Sequence, residues 1–188
     1  MRGAILITSA GLLAYGAWRM SQEDAPVISL DSVQDLGETI VSKTVNALQL
    51  WRAPEKYAAT IASAEQQYGI PDAMLERLFY QECRYREDII TGRVRSSVGA
   101  LGIAQFMPAT AVELGIDPLE PRQAIPAAAR YLSGLFKRFG NWSEALAAYN
   151  WGQGNVSRKG LANAPRETRN YYSQILADVN ASTGTNYA

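Results

Sequence analysis

The residues from Glu82 to Ala111, ECRYREDIITGRVRSSVGALGIAQFMPATA, gather the chain's best prospects for chemistry. A carboxylate comes first, then a polar and basic loop, then a run bearing Gly102, Gln105, Met107 and Pro108 that opens a new helix. Leu75, Leu78 and Phe79 lie one or two helical turns before Glu82, so the buried face of that helix runs up to the carboxylate. A glutamate at the edge of an apolar surface resists ionisation, because desolvation disfavours the charged form. Such a group stays protonated near neutral pH and can give its proton to a glycosidic oxygen. The competing reading is an ordinary helix-end glutamate paired with Arg77, Arg84 or Arg86.

Composition narrows the chemistry further. The chain has no histidine, which removes His-based triads, His-containing metal sites and histidine proton shuttles together. A single cysteine, Cys83, excludes an intrachain disulfide and leaves no structural zinc set. No metal and no cofactor is therefore expected, and acid–base chemistry rests on Asp, Glu, Lys or Tyr. Lys+Arg and Asp+Glu balance at 18 each, unlike the basic excess of a general nucleic-acid binder. With 188 residues, 47% of them hydrophobic, the chain can bury one proper core.

The elements that must position Glu82 are mostly helices. Lys56 to Tyr68 is Ala-rich and is stopped by Gly69. Pro71 and Asp72 open the helix that ends near Glu82 and Cys83. Thr91 to Gly102 reads as loop, with room for a small β-hairpin. Pro108 starts a short helix ended by Gly115, and Pro121 to Phe139 is a longer one stopped by Gly140. Ser143 is the expected N-cap of a helix over Glu144 to Asn150. Trp151 to Ala164 reads as loop, and Glu167 to Val179 as the closing helix. The fold class is mainly α.

Two N-terminal segments precede this unit, giving expected divisions at 1–20, 21–54 and 55–188. Gly3 to Trp18 is uncharged between Arg2 and Arg19. As a helix it spans about 24 Å at ~1.5 Å per residue, short of a ~30 Å hydrocarbon core unless the flanking arginines snorkel. A retained membrane anchor over residues 3–18 is the preferred reading; a cleaved signal peptide, with Ala14-Tyr15-Gly16 as its site, is the alternative. Leu30, Val33, Ile40, Val41, Val45 and Leu48 then fall at helical spacing, which predicts an amphipathic helix ended by Arg52-Ala53-Pro54.

Residues 70 to 172 resemble the catalytic domain of the family 1 (Slt-type) lytic transglycosylases, which share the goose-type lysozyme-like fold. Four blocks carry the resemblance. Gln81-Glu82-Cys83 matches the family's Glu-Ser pair at the end of an apolar helix. The run from Arg95 through Ala111 is similar to the GAxGLMQxMPxTA block. Ala147-Ala148-Tyr149-Asn150-Trp151-Gly152 resembles the AYNAG block, and Pro165 to Tyr171 the PxETxxY block. The family's order is kept. Departures are Cys83 for the usual serine, Ala104 for the methionine before Gln105, Trp151 for a small residue, and extra residues between Glu82 and Ser96.

The resemblance implies a role for each matching residue. Glu82 would be the sole general acid and base. Tyr149 would point its hydroxyl at Glu82 and orient it. Ser96, Gln105 and Met107 would line the groove near the scissile bond, Asn150 would shape its loop, and Glu167 would buttress the cleft from the last helix. The implied reaction cleaves the bond between N-acetylmuramic acid and N-acetylglucosamine in peptidoglycan and closes a 1,6-anhydro ring. Its expected partners are peptidoglycan strands, the membrane through residues 3–18, and a phage particle or an envelope-spanning secretion or conjugation machine. Its expected place is the envelope, facing the periplasm, or a virion. Two alternatives stay open: a goose-type hydrolase using Glu87 or Asp88 as second carboxylate, and a structural component of a virion or secretion apparatus that only binds peptidoglycan.

Overall fold

The computed structural model describes residues 50–187. The expected anchor at 3–18 and the amphipathic stretch up to residue 49 lie outside the described residues. Among the described residues no helix is long and apolar enough to cross a membrane.

Helix α1, Glu55–Tyr68, ends where Gly69 turns left-handed (φ 66°) and returns its N–H to the carbonyl of Glu65. That turn aims the chain into α2, Met74–Cys83. The buried Glu65 carboxylate caps α2 from a distance, accepting from the N–H of Leu75 at 2.8 Å and of Ala73 at 3.2 Å. A carboxylate there satisfies two orphan donors and opposes the positive end of the helix dipole. At the other end Arg84 and Tyr85 both adopt positive φ, terminating the helix just after Glu82. A short helix, α3 (Glu87–Ile90), follows, just before the loop expected from Thr91.

The segment from Thr91 to Met107 carries one isolated β-bridge, Leu101 with Phe106, in place of a hairpin. Gly102, at φ 73°, has no room for a side chain: a Cβ would sit 1.8 Å from the Pro118 carbonyl oxygen. Helices α4 (Pro108–Leu114) and α5 (Pro121–Phe139) both start on proline, whose missing N–H costs nothing at that position.

Helix α6, Trp142–Trp151, lies at the centre, in contact with α5 and with the last helix. Four consecutive residues, Ala145, Leu146, Ala147 and Ala148, are fully buried, so it is wrapped on all sides. Its N-cap is Asn141, not Ser143. The Asn141 side chain accepts from the Glu144 N–H at 2.8 Å and donates to the Glu144 carboxylate at 2.9 Å. The Asn141 oxygen satisfies one orphan helix N–H, and the Glu144 carboxylate holds the Asn141 amide in place.

The stretch after Trp151, read as loop, is helical in two pieces: α7 (Gln153–Lys159) and a 3₁₀ turn at Leu161–Asn163. Tertiary bonds override the weak propensity of its glycines. Arg138 donates to Gln153 and Ser157, Asn155 donates to the Trp151 carbonyl, and Val156 is buried. Helix α8, Arg166–Thr183, runs further than Glu167–Val179 and packs on α2 and α6. Its buried stripe, Thr168, Tyr171, Ile175 and Asp178, has helical spacing but mixed chemistry.

Candidate active site

Glu82 occupies the last turn of α2, with Leu75, Leu78 and Phe79 fully buried behind it. The residue as a whole is half-buried. Tyr171 on α8 donates its hydroxyl to Glu82 Oε1 at 2.5 Å. Burial pushes the Glu82 pKa up from its ordinary 4.5 to about 7, with the Tyr171 bond pulling the other way. None of the ion pairs among the described residues includes Glu82: it is not spent on Arg77, Arg84 or Arg86. Arg77 is paired with Asp178, Arg86 with Asp88, and Arg84 donates to the Tyr80 hydroxyl.

The Tyr149 hydroxyl, expected to point towards Glu82, makes no hydrogen bond to it among the described residues. Tyr149 donates instead to the Ala104 carbonyl at 2.9 Å. Its ring sits against Tyr131 and Phe106, with centroids at 5.7 and 6.2 Å. Tyr149 is still within electrostatic reach of Glu82, whose charge adds to burial in pushing the phenol well above its ordinary pKa. The difference between the two phenols is positional. Tyr149 projects from the central helix onto the Gly102–Gln105 turn and clamps it, while α8 presents Tyr171 directly to the end of α2. Tyr171 closes the fourth sequence block and was assigned no role of its own from sequence. Its place on the stripe with Thr168, Ile175 and Asp178 was the available signal.

The other expected residues occupy two groups. Gln105 takes a positive φ of 48° and donates through Nε2 to the Gly102 carbonyl at 2.8 Å, stiffening the turn held by Tyr149. Ser96 accepts from the Ala100 N–H at 2.7 Å, which closes the loop and leaves its own hydroxyl hydrogen to donate. Met107, just before α4, is 43% exposed. At the other end, Asn150 accepts from Thr168 at 2.8 Å, one turn of α8 before Tyr171. Glu167, in the first turn of α8, is exposed. Among the described residues no hydrogen bond joins Ser96, Gln105, Met107, Asn150 or Glu167 to Glu82; Tyr171 alone makes that contact.

Cys83, beside the carboxylate, is buried, donates to the Phe79 carbonyl and has its thiol pushed up to about 12, which removes it as a nucleophile. Glu87 accepts from Lys56 at 2.5 Å and from Tyr57 at 3.1 Å, and Asp88 pairs with Arg86 at 2.6 Å. Both carboxylates are held below their ordinary pKa by those partners.

Glu82 is thus a half-buried acid raised towards neutrality at the end of α2 and held by a phenol from α8. The transglycosylase SLT domain family model matches residues 59–172, more than half of the chain, and the chain belongs to that family. It is 31% identical over 140 residues to the peptidoglycan transglycosylase gp16 of Escherichia phage T7, covering 65% of this chain and 10% of that protein. It is 30% identical over 139 residues to the transglycosylase of Enterobacteria phage PRD1, covering 73% of this chain and 46% of that one. The chain thus spans less than half the length of either phage relative. Among solved structures, lytic transglycosylase Slt from Pseudomonas aeruginosa, crystallised as an inactive Glu-to-Gln mutant, matches with a TM-score of 0.57 and 26% identity over 68% of this chain and 24% of that one. The fold is the mainly helical, lysozyme-like fold of that family.

Proposed function

We propose that the chain is a peptidoglycan lytic transglycosylase with Glu82 as its only acid–base group. The observation that carries this reading is the Glu82 carboxyl itself, half-buried, raised to about 7 and touched by a neutral phenol rather than a cation. At neutral pH such a group is divided between its two forms, which suits a residue that must first give and then take a proton. Glu82 protonates the oxygen between the muramyl and glucosaminyl residues, and the bond from muramyl C1 to that oxygen breaks, assisted by the substrate's own N-acetyl group. The resulting carboxylate accepts the proton of the muramyl 6-hydroxyl as that oxygen bonds to C1. The products are a 1,6-anhydromuramyl end and a free glucosaminyl 4-hydroxyl, with no water consumed.

Tyr171 orients the acid in this reading, and Tyr149 secures the turn that carries Gln105. Gln105, Ser96 and Asn150 offer polar contacts to sugar substituents, Met107 offers an apolar edge, and Glu167 lies towards a bound stem peptide. The commitment of Glu87 and Asp88 to ion pairs favours the one-carboxylate route over a two-carboxylate hydrolase. The phage relatives favour local wall opening during phage entry as the setting, with residues 3–18 supplying attachment to a membrane. The test is clearing of purified sacculi by wild type and Glu82→Gln at matched fold content. Loss of clearing in the variant supports the reading, and undiminished clearing removes Glu82 as the acid.

A further inference from the structure

Helices α2 and α8 pack antiparallel, and two polar contacts cross their interface. One is Tyr171 on Glu82; the other is Arg77 on Asp178, Nε to Oδ2 at 2.5 Å, with the side chains 4% and 1% exposed. Along α2 the two contacts are five residues apart, about 7.5 Å, and along α8 seven residues, about 10.5 Å. Between them the interface is aliphatic and aromatic: Leu78, Phe79 and Ile175 are fully buried. Burial of apolar surface is itself non-directional. A buried, directional ion pair does fix register. Arg77 also donates through Nη1 to Gln81 at 2.8 Å, so the same guanidinium braces the residue next to Glu82.

Resting on the reading of Glu82 as the acid, we propose that the buried Arg77–Asp178 pair is a positioning device: it sets α8 against α2 so that the Tyr171 hydroxyl lands on the Glu82 carboxylate. The pair sits two helical turns from the chemistry and touches no reacting atom. A guanidinium buried in an otherwise apolar interface is costly to retain as a stability element alone. Its placement on the one helix pair that carries the acid gives it a use. The groups that face the acid are Tyr171 from α8, Tyr149 from α6 and Cys83 on α2, and the Arg77 charge reaches Tyr171. A relaxed register therefore removes the Tyr171 donor first.

The test replaces the pair by apolar residues of similar size, Arg77→Met with Asp178→Leu, alone and in a Tyr171→Phe background. Glu82 is titrated by carboxyl-labelled glutamate NMR, its signal assigned with Glu82→Gln, and cleavage of soluble peptidoglycan strands gives kcat and KM. The expected result in the native background is an upward move of the Glu82 midpoint and a fall in kcat of roughly tenfold, as for a small misplacement of a catalytic group, with KM changed by no more than about twofold. In the Tyr171→Phe background the same pair replacement moves the midpoint no further. An unmoved midpoint and unchanged kcat in the folded variant overturn the inference, as does an equal move in both backgrounds. If the double replacement does not fold, Arg77→Lys decides. It keeps the charge but loses the fork of donors, and an upward midpoint with reduced kcat supports the device, whereas wild-type values for both overturn it. A midpoint that moves as expected in a protein that cleaves no strands supports the positioning while refuting the proposed activity.

Discussion

Tyr171→Phe removes a single oxygen and isolates the contact on which the account of Glu82 turns. The lost bond is a phenol donating to a carboxylate at 2.5 Å. Bonds to charged groups contribute about 1.5–3 kcal/mol, and the protonated acid keeps part of that, so a difference of about 1.4 kcal/mol between the two forms is a fair share. That corresponds to an upward move of about one pH unit in the Glu82 midpoint. The sign follows from the donor: it favours the ionised form, so its loss raises a midpoint already lifted by burial to about 7. The first chemical step needs the protonated acid, so activity falls as pH rises through this midpoint. In the variant that falling limb moves to higher pH by about one unit, while the maximum drops roughly tenfold because the acid loses its orientation. The assay is the initial rate of sacculus clearing from pH 5 to 9, with circular dichroism confirming the fold at each point. A limb that stays in place, or moves to lower pH, refutes the reasoning.

Four further outcomes follow from individual residues. Tyr149→Phe removes the bond to Ala104 and should cost about 1 kcal/mol of stability while leaving the Glu82 midpoint nearly unmoved in the same titration. Gly102→Ala meets the Pro118 carbonyl and a left-handed backbone together; it should cost more than about 2 kcal/mol and abolish clearing, read by thermal melting and activity. Glu82→Gln should stabilise the fold only at higher pH. The folded chain holds the Glu82 proton from about pH 4.5 to 7 while the unfolded chain releases it, so wild-type stability falls across that window and stays reduced above it. After discounting for the side chain's partial exposure, the gain at pH 8 is about 1–2 kcal/mol and vanishes at pH 4; melting points at both pH values check it. Glu65→Ala strips the cap from α2 and should lower stability by about 2 kcal/mol, seen as a lower denaturation midpoint.

Much of the frame was legible because helix signals are local. Gly69, Gly115 and Gly140 each close a helix where their permissive backbone predicts, and the apolar spacing of Leu75, Leu78 and Phe79 placed Glu82 at the end of a buried face. What was not legible depends on contacts between distant segments. Helix α7 is made from poor helix formers and exists because Arg138 and the Trp151 carbonyl hold it. Asn141 was overlooked because Ser143 is equally good by propensity, and only the Glu144 side chain decides between them. The contact of Tyr171 with Glu82 went unread for the same reason. Tyr171 is buried and Tyr149 partly buried, both at sites of helical spacing, and only the packing of α8 on α2 brings Tyr171 onto the acid. Asp178 and Arg77, 101 residues apart, carry no local sign of their pairing.

The central claim is that one carboxylate cleaves the glycan and no water enters the product. Mass spectrometry of muropeptides released from purified sacculi in heavy-oxygen water tests it directly. The account predicts muramyl ends lighter by one water than the reducing sugar, without heavy oxygen, and their disappearance with Glu82→Gln. Reducing muramyl ends that carry the heavy oxygen would contradict it.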